Sequence, residues 1–217
     1  MNNLTYLLHD YAKNCDSLMN KLAQVISIIF HPILLPTWMF LTFMASGICK
    51  MSFINDWLCL AVIFGTTFIL PISFILILKK FKVIESLTME KREDRFIPIF
   101  AVVIFLFAVS RFFNGINALA LYNFYLICNL ILCVVVFWIN FWWKISMHGI
   151  GWGSFTAILL ILSTISAKIF LPYLIAGFVL SGIVGSARLY LKSHSNSQIY
   201  AGFAVGFIIP LLIYNLL

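Results

Sequence analysis

Seven runs of about 20 mainly apolar residues constrain the fold of this chain more than any other feature. A helix needs about 20 such residues to cross the hydrocarbon core of a bilayer, whereas barrel strands would alternate in segments of about ten. Of the 217 residues, 63% are hydrophobic and 10% are charged, against about 25% charged residues in soluble domains. We therefore predict an all-α polytopic membrane bundle of about seven transmembrane helices. The predicted spans cover residues 22–47, 57–78, 97–113, 118–141, 146–166, 169–190 and 198–216.

The segment before the first span has a different pattern. Residues 1–21 carry apolar side chains at helical spacing with charged residues between them, which predicts an amphipathic helix in the membrane interface. His31-Pro32 and Pro36 predict a kink in the first span, and His31 is interpreted as a structural polar group at that kink. No repeat or linker divides the sequence, so we predict a single integral-membrane domain over residues 1–217.

The basic residues fall mainly on one side of the predicted bundle. The N-terminus and the loops after the second, fourth and sixth spans share that side, and only three of the 14 Lys and Arg residues lie opposite: Lys50, Arg111 and Lys168. Lys and Arg concentrate in cytoplasmic loops. We therefore expect a multi-pass plasma (inner) membrane protein whose N-terminus and basic loops face the cytoplasm. The net charge of +7 then reflects orientation and phosphate contact, and no nucleic-acid partner is expected.

Three polar clusters on the basic side contain the residues that could perform chemistry: residues 90–98, 144–151 and 185–202. Two spans separate each cluster from the next, so all three can meet at one membrane surface. Their Arg and Lys side chains can bind phosphate oxygens, and Ser146 at a helix start exposes backbone N–H groups to an anion. His148 and His194 can divide the roles of nucleophile and general acid. The pattern predicts phosphoryl transfer through a phosphohistidine.

Neither a metal nor another cofactor is expected at these clusters. Mg²⁺ and Ca²⁺ prefer several carboxylate or carbonyl oxygens, and the clusters have no carboxylate-rich group. A zinc site requires at least three protein ligands, and two loop histidines do not provide them. The five cysteines show no CxxC spacing and lie mostly in apolar runs, so they are interpreted as small apolar side chains.

These clusters resemble the three motifs of the type 2 phosphatidic acid phosphatase superfamily, KxxxxxxRP, PSGH and SRxxxxxHxxxD. Arg188 and His194 keep the spacing between the Arg and the His of the third motif. Ser146 and His148 keep the Ser and the His of the second motif. The first motif is approximated by Lys91, Arg95 and Pro98.

The resemblance covers about residues 85–210 and implies an integral-membrane, metal-independent lipid phosphatase. Its substrate would be a phosphate monoester or diphosphate on a lipid. It implies that His194 is the nucleophile and that His148 protonates the leaving oxygen. Gln198 stands where the family has the Asp that orients the nucleophile. The implied phosphate-binding residues are Lys91, Arg95, Ser146 and Arg188.

Two other function classes are compatible with a membrane bundle of this kind. A non-catalytic relative that binds phosphorylated lipids would explain Gln198, because an amide cannot stabilise an imidazolium by charge. A transporter or channel is disfavoured, because no Asp, Glu, Lys or Arg lies in the middle of a predicted span. The expected partners are the lipid bilayer and a membrane lipid substrate, and no obligate protein partner is inferred.

Overall fold

The computed structural model describes residues 3–48, 53–86 and 93–216, and the side chains within these ranges except those of residues 3–14, 53 and 54. All regular secondary structure in these ranges is helical, which confirms the predicted all-α class. The helices of the described ranges are α1 (Asn3–Ile29), α2 (Leu35–Ser46), α3 (Phe53–Phe64), α4 (Leu70–Lys80), α5 (Phe96–Phe113), α6 (Ala120–Ile139), α7 (Met147–Ile165), α8 (Ala167–Tyr190) and α9 (Asn196–Leu216).

Seven helical segments of the described chain are long and apolar enough to cross a membrane, as predicted. The protein is therefore a multi-pass membrane protein by the length and composition of its helices. The segments are Cys15–Ser46, Asn55–Lys80, Glu93–Phe113, Asn117–Ile139, Met147–Ile165, Ala167–Tyr190 and Asn196–Leu216. Two of them are interrupted: the first by the turn between α1 and α2, and the second by a π-helical stretch, Gly65–Ile69, between α3 and α4.

The interruption of the first segment confirms the predicted kink. α1 ends at Ile29, a single 3-10 turn covers Pro32–Leu34, and α2 follows with Pro36 in its first turn. Proline lacks the backbone N–H of a helix interior and fits the first helical turn, so each proline here starts a new element. No break occurs near residue 21, where the predicted interfacial segment ended, because nothing in that stretch interrupts the helical backbone.

α1 runs across one end of the bundle. At the end of α8, the Tyr190 hydroxyl lies 3.5 Å from Asp16 Oδ1, and the backbone oxygen of Ser27 contacts His148 at the start of α7. About 16 Å of helix separates Asp16 from Ser27, although both lie at the same end of the bundle. An apolar face of α1 remains exposed at Leu18, Leu22, Val25 and Ile29.

α7 is the central helix of the bundle. Of its most apolar stretch, 78% is buried, against at most 39% for any other candidate span of the described chain. It packs mainly against α9 and α8. The contact with α9 is close because glycines face it: a Cβ added at Gly202 would lie 2.8 Å from Ser146 O, and one at Gly149 would lie 2.8 Å from Ile199 O. Small residues let helix backbones approach in this way, and the contact holds the starts of α7 and α9 together.

Candidate functional site

The predicted site residues meet at the end of the bundle that α1 crosses. Arg95 precedes α5, Ser146 caps α7, and Arg188 lies in the last turn of α8. His194 lies in the turn between α8 and α9, and Gln198 lies in the first turn of α9. His148 belongs to the first turn of α7 and lines the same cluster. Lys91, the remaining predicted phosphate ligand, falls outside the described residues.

Gln198 fixes the orientation of the His194 ring. The Gln198 Oε1 atom lies 3.0 Å from His194 Nδ1 and also accepts a hydrogen bond from the Ser195 backbone N–H at 3.2 Å. Because a backbone N–H can only donate, the amide oxygen must face both groups. His194 Nδ1 therefore donates a hydrogen to this oxygen, and the opposite nitrogen, Nε2, carries the lone pair. This is the contact that the four-residue spacing predicts.

Burial and positive charge keep the His194 ring neutral. Burial, the largest cause, and the charges of Arg188, Arg95 and Lys144 together lower the pKa of His194 to about 4, although the hydrogen bond that His194 donates to Gln198 raises it. At neutral pH the ring is therefore uncharged, as a nucleophile must be. Three cations around a neutral imidazole also make an environment that favours an anion.

Arg188 is the most central of these cations. Its charge acts on His31, His148, His194 and Arg95, which lie on four different parts of the chain. The Nε atom of Arg188 is buried and has no hydrogen-bond partner among the described residues. A buried donor without a partner costs free energy, and an anionic oxygen bound beside Arg188 would remove that cost.

Arg95 and Ser146 connect this cluster to the start of α7. Arg95 is 7% exposed and donates from Nη1 to Ile145 O at 3.4 Å. Ser146 accepts the Gly149 N–H through its hydroxyl at 3.3 Å, and its own N–H donates to Gln198 O at 3.3 Å. The cap of α7 is thus hydrogen-bonded directly to the residue that orients His194. Helix N-termini present N–H groups and a partial positive charge to anions.

His148 is held by a hydrogen bond to the backbone of α1. Its Nε2 atom lies 3.1 Å from the backbone oxygen of Ser27, and a carbonyl oxygen can only accept, so Nε2 is the donating atom. The ring is 7% exposed. Proton exchange with a bound molecule would therefore involve the other nitrogen, Nδ1.

An amphipathic groove of about 280 Å³ leads from this cluster along α8 and α9. Ser146, His148 and Arg188 line its polar end, and Phe178 and Phe203 line its apolar end. Arg188 and Phe178 are about 15 Å apart along α8. Phe178 is 46% exposed, so the groove opens towards the side of the bundle, where lipid chains would lie. The groove is polar at the membrane surface and apolar within the span.

Two further side chains, outside the predicted set of site residues, are neighbours of this cluster. His31, interpreted as a structural residue of the kink, lies with its ring centroid 5.1 Å from that of His148. Lys144, in the predicted cluster at residues 144–151, is close enough for its charge to affect the protonation of His194. Among the described residues, no three His, Cys, Asp or Glu side chains gather as a metal site would require.

Comparisons of the chain with models of known protein families, with curated proteins and with solved structures find no match.

Proposed function

We propose that this protein is an integral-membrane, metal-independent phosphatase that acts on a lipid phosphate monoester or diphosphate. The observation that carries the proposal is the state of His194: a neutral ring with its Nδ1–H bonded to Gln198 and its lone pair on Nε2, among Arg188, Arg95 and Lys144. A nucleophile and its cations are the requirements of phosphoryl transfer through a covalent intermediate. The similarity of the three clusters to the type 2 phosphatidic acid phosphatase motifs supports the same proposal.

In the first step, His194 Nε2 attacks phosphorus and the bond between phosphorus and the lipid oxygen breaks. Because Nε2 of His148 carries the hydrogen, its Nδ1 first accepts the proton of the substrate's phosphate monoanion and then gives it to the lipid oxygen. This leaves a phosphohistidine and a free lipid alcohol, or a lipid monophosphate if the substrate is a diphosphate. In the second step, Nδ1 of His148 takes a proton from water, the water oxygen attacks phosphorus, and the bond between phosphorus and His194 Nε2 breaks. His148 passes the proton to the departing phosphate, which restores both histidines. Arg188, Arg95 and the partial positive charge at the start of α7 offset the negative charge of the phosphoryl oxygens.

The shape of the groove supports a lipid substrate over a soluble phosphate ester. A phosphate at Arg188 would leave its lipid chain directed along α8 towards Phe178 and Phe203. This path descends about 15 Å from the membrane surface, which is about half of a hydrocarbon core of about 30 Å. A soluble phosphate ester would leave this apolar part of the groove empty.

The charge distribution supports a cytoplasmic position for the site in the plasma (inner) membrane. The site lies at the basic end of the bundle, which also holds the two lysines that end α4, Lys79 and Lys80. Positive residues favour the cytoplasmic side. A substrate produced on that face would reach the site without crossing the bilayer.

The test is a phosphate-release assay on purified protein in detergent with EDTA, over phosphatidate, phosphatidylglycerol phosphate, undecaprenyl diphosphate and lipid A. We expect release from at least one of these lipids and inhibition by orthovanadate, which imitates the five-coordinate phosphorus of the transition state. His194→Ala should abolish release. Full activity in that variant, or an absolute requirement for Mg²⁺, would contradict the mechanism.

A non-catalytic lipid-binding protein is the alternative, and Gln198 is the observation that favours it. An amide orients His194 but brings no negative charge to the imidazolium-like transition state. If the wild type binds phosphatidate vesicles and releases no phosphate from any lipid, while Gln198→Asp does release phosphate, the binding function replaces the proposed one.

A further inference from the structure

We propose that His31, which lies outside all three motif-like clusters, is a positioning residue that holds the His148 ring in its working orientation. The catalytic role of His148 in this inference rests on the proposed function. The contact between the His31 and His148 rings can be tested without turnover. His31 and His148 are far apart in sequence, and the break between α1 and α2 brings them together. Their ring centroids lie 5.1 Å apart and their planes meet at 85°, the edge-to-face arrangement that aromatic pairs prefer.

The break between α1 and α2 holds both the backbone and the side chain of His31 in place. His31 has an extended backbone and caps the turn Pro32–Leu34, with its Nδ1 atom accepting the Ile33 N–H at 3.3 Å. The following segment has no freedom to move towards α7, because a Cβ at Gly151 would lie 2.7 Å from Leu35 Cδ1 and 3.1 Å from Pro32 Cβ. The ring of His31 is thus held at both its capping atom and its backbone.

The end of α1 supplies the other constraint on the same ring. The last carbonyl groups of a helix have no partner within the helix, and two of them at the end of α1 accept from α7. Ser27 O accepts from His148 Nε2 at 3.1 Å, and Phe30 O accepts from Trp152 Nε1 at 3.1 Å. One hydrogen bond to Ser27 lets the imidazole tilt about that bond. The ring of His31 beside it removes this freedom, so that Nδ1 of His148 keeps one direction.

Two substitutions test the ring of His31 and its capping hydrogen bond separately. His31→Asn keeps a side-chain oxygen that can accept the Ile33 N–H, since Asn is a preferred capping residue, but it removes the ring. His31→Phe keeps a ring beside His148 and removes the cap. If the ring positions His148, the Asn variant loses that orientation and the Phe variant keeps it, although the Phe variant has the lower Tm. His9→Asn, which also removes one histidine, is the control and should behave as the wild type.

The orientation is measured by nitrogen NMR of protein labelled at its four histidines, with the His148 signals assigned from His148→Gln. In the wild type and in His31→Phe we expect His148 to remain in the form protonated at Nε2. In His31→Asn we expect the hydrogen to stay on Nε2, because Ser27 O still accepts it, and the His148 ring signals to broaden as the ring tilts about that bond. An unchanged His148 signal in a folded His31→Asn protein would overturn the proposal, and so would a folded His31→Phe protein that has lost the signal.

Kinetics with phosphatidate in detergent as the probe give the second readout. His31→Asn should lower kcat by about ten- to a hundred-fold, the effect of losing a residue that orients a site group, with little change in KM. If the wild type releases no phosphate, the proposed function fails, whereas the NMR comparison still decides whether His31 orients His148. If His31→Asn does not fold, the NMR result for His31→Phe decides alone.

Discussion

Gln198 Oε1 and His194 Nδ1 lie 3.0 Å apart across the start of α9, so a neutral amide occupies the position where a carboxylate would be expected from the motif resemblance. The amide fixes which nitrogen of the ring carries hydrogen but adds no negative charge. The ring therefore stays neutral to lower pH than it would beside a carboxylate.

Replacing Gln198 tests whether this orientation contributes to turnover. Gln198→Ala should lower kcat/KM by about ten- to a thousand-fold, because the ring of His194 loses the amide oxygen that orients it and turns away from phosphorus. Gln198→Asp should keep or raise activity. Phosphate release from the lipid that gives the fastest wild-type rate is the measurement. Wild-type rates in Gln198→Ala would show that the amide serves only the start of α9.

The pH dependence should follow the pKa of His194. The lone pair on Nε2 exists only when the ring is unprotonated, and the pKa of His194 is about 4. Activity should therefore persist down to mildly acidic pH and fall as the pH drops through about 4. The profile of kcat/KM reports the free enzyme. In Gln198→Asp, the carboxylate raises the pKa of His194, so the acidic limb should move to higher pH. An acidic limb at the same pH in both proteins would assign it to another group.

The loss of activity on removing His148 should be greater for a leaving group that needs a proton as it departs. A lipid alkoxide needs a proton as it departs, whereas a nitrophenolate needs little help. His148→Ala should therefore lower phosphate release from a lipid by about a hundred-fold or more, within the usual range for a general acid, and release from p-nitrophenyl phosphate much less. The ratio of the two rates is the measurement. Equal losses on both substrates would assign His148 to binding or folding.

The orientation of the bundle can be tested by labelling single cysteines in intact cells, in a background without the native ones. Lys82→Cys and Asn196→Cys lie at the basic end and are exposed, so both should resist a membrane-impermeant maleimide if this end is cytoplasmic. Lys168→Cys, which is exposed at the opposite end of α8, should be labelled and serves as the control. Labelling of the first two with protection of the third would reverse the orientation and leave the chemistry unaffected.

The glycine contact between α7 and α9 should be sensitive to a single methyl group. A Cβ at Gly202 would lie 2.8 Å from Ser146 O, a backbone atom that cannot turn away. Gly202→Ala should therefore destabilise the protein by about 1–3 kcal/mol, the usual cost of overpacking, and lower its Tm in detergent. Gly65→Ala is the matched control, because no atom lies within 4 Å of a Cβ added there. Equal Tm values for the two variants would contradict this description of the contact.

The spans and the kink could be predicted because their causes are local. The length of an apolar run determines whether a helix can cross the bilayer, and Pro32 and Pro36 interrupt the helix wherever the chain is placed. The contact between His194 and Gln198 is also local, since four residues bring two side chains to the same face of a helical turn. Sequence spacing is sufficient for such features.

The role of His31 could not be predicted in this way. Its neighbour His148 belongs to another helix, and only the packing of Gly151 against Pro32 and Leu35 places the two rings together. The groove along α8 is likewise a product of packing, since it lies between three helices.

The hydrogen bond from Ser146 N–H to Gln198 O sets the order in which the site can be completed during synthesis. Of the described spans, α9 is the last to leave the ribosome, and it brings the carbonyl that holds the cap of α7 together with the amide that orients His194. Until α9 has inserted beside α7, the arginines and His148 are in the membrane without an oriented nucleophile. On the proposed function, the nascent chain would therefore be inactive towards the membrane into which it is inserted until α9 docks against α7.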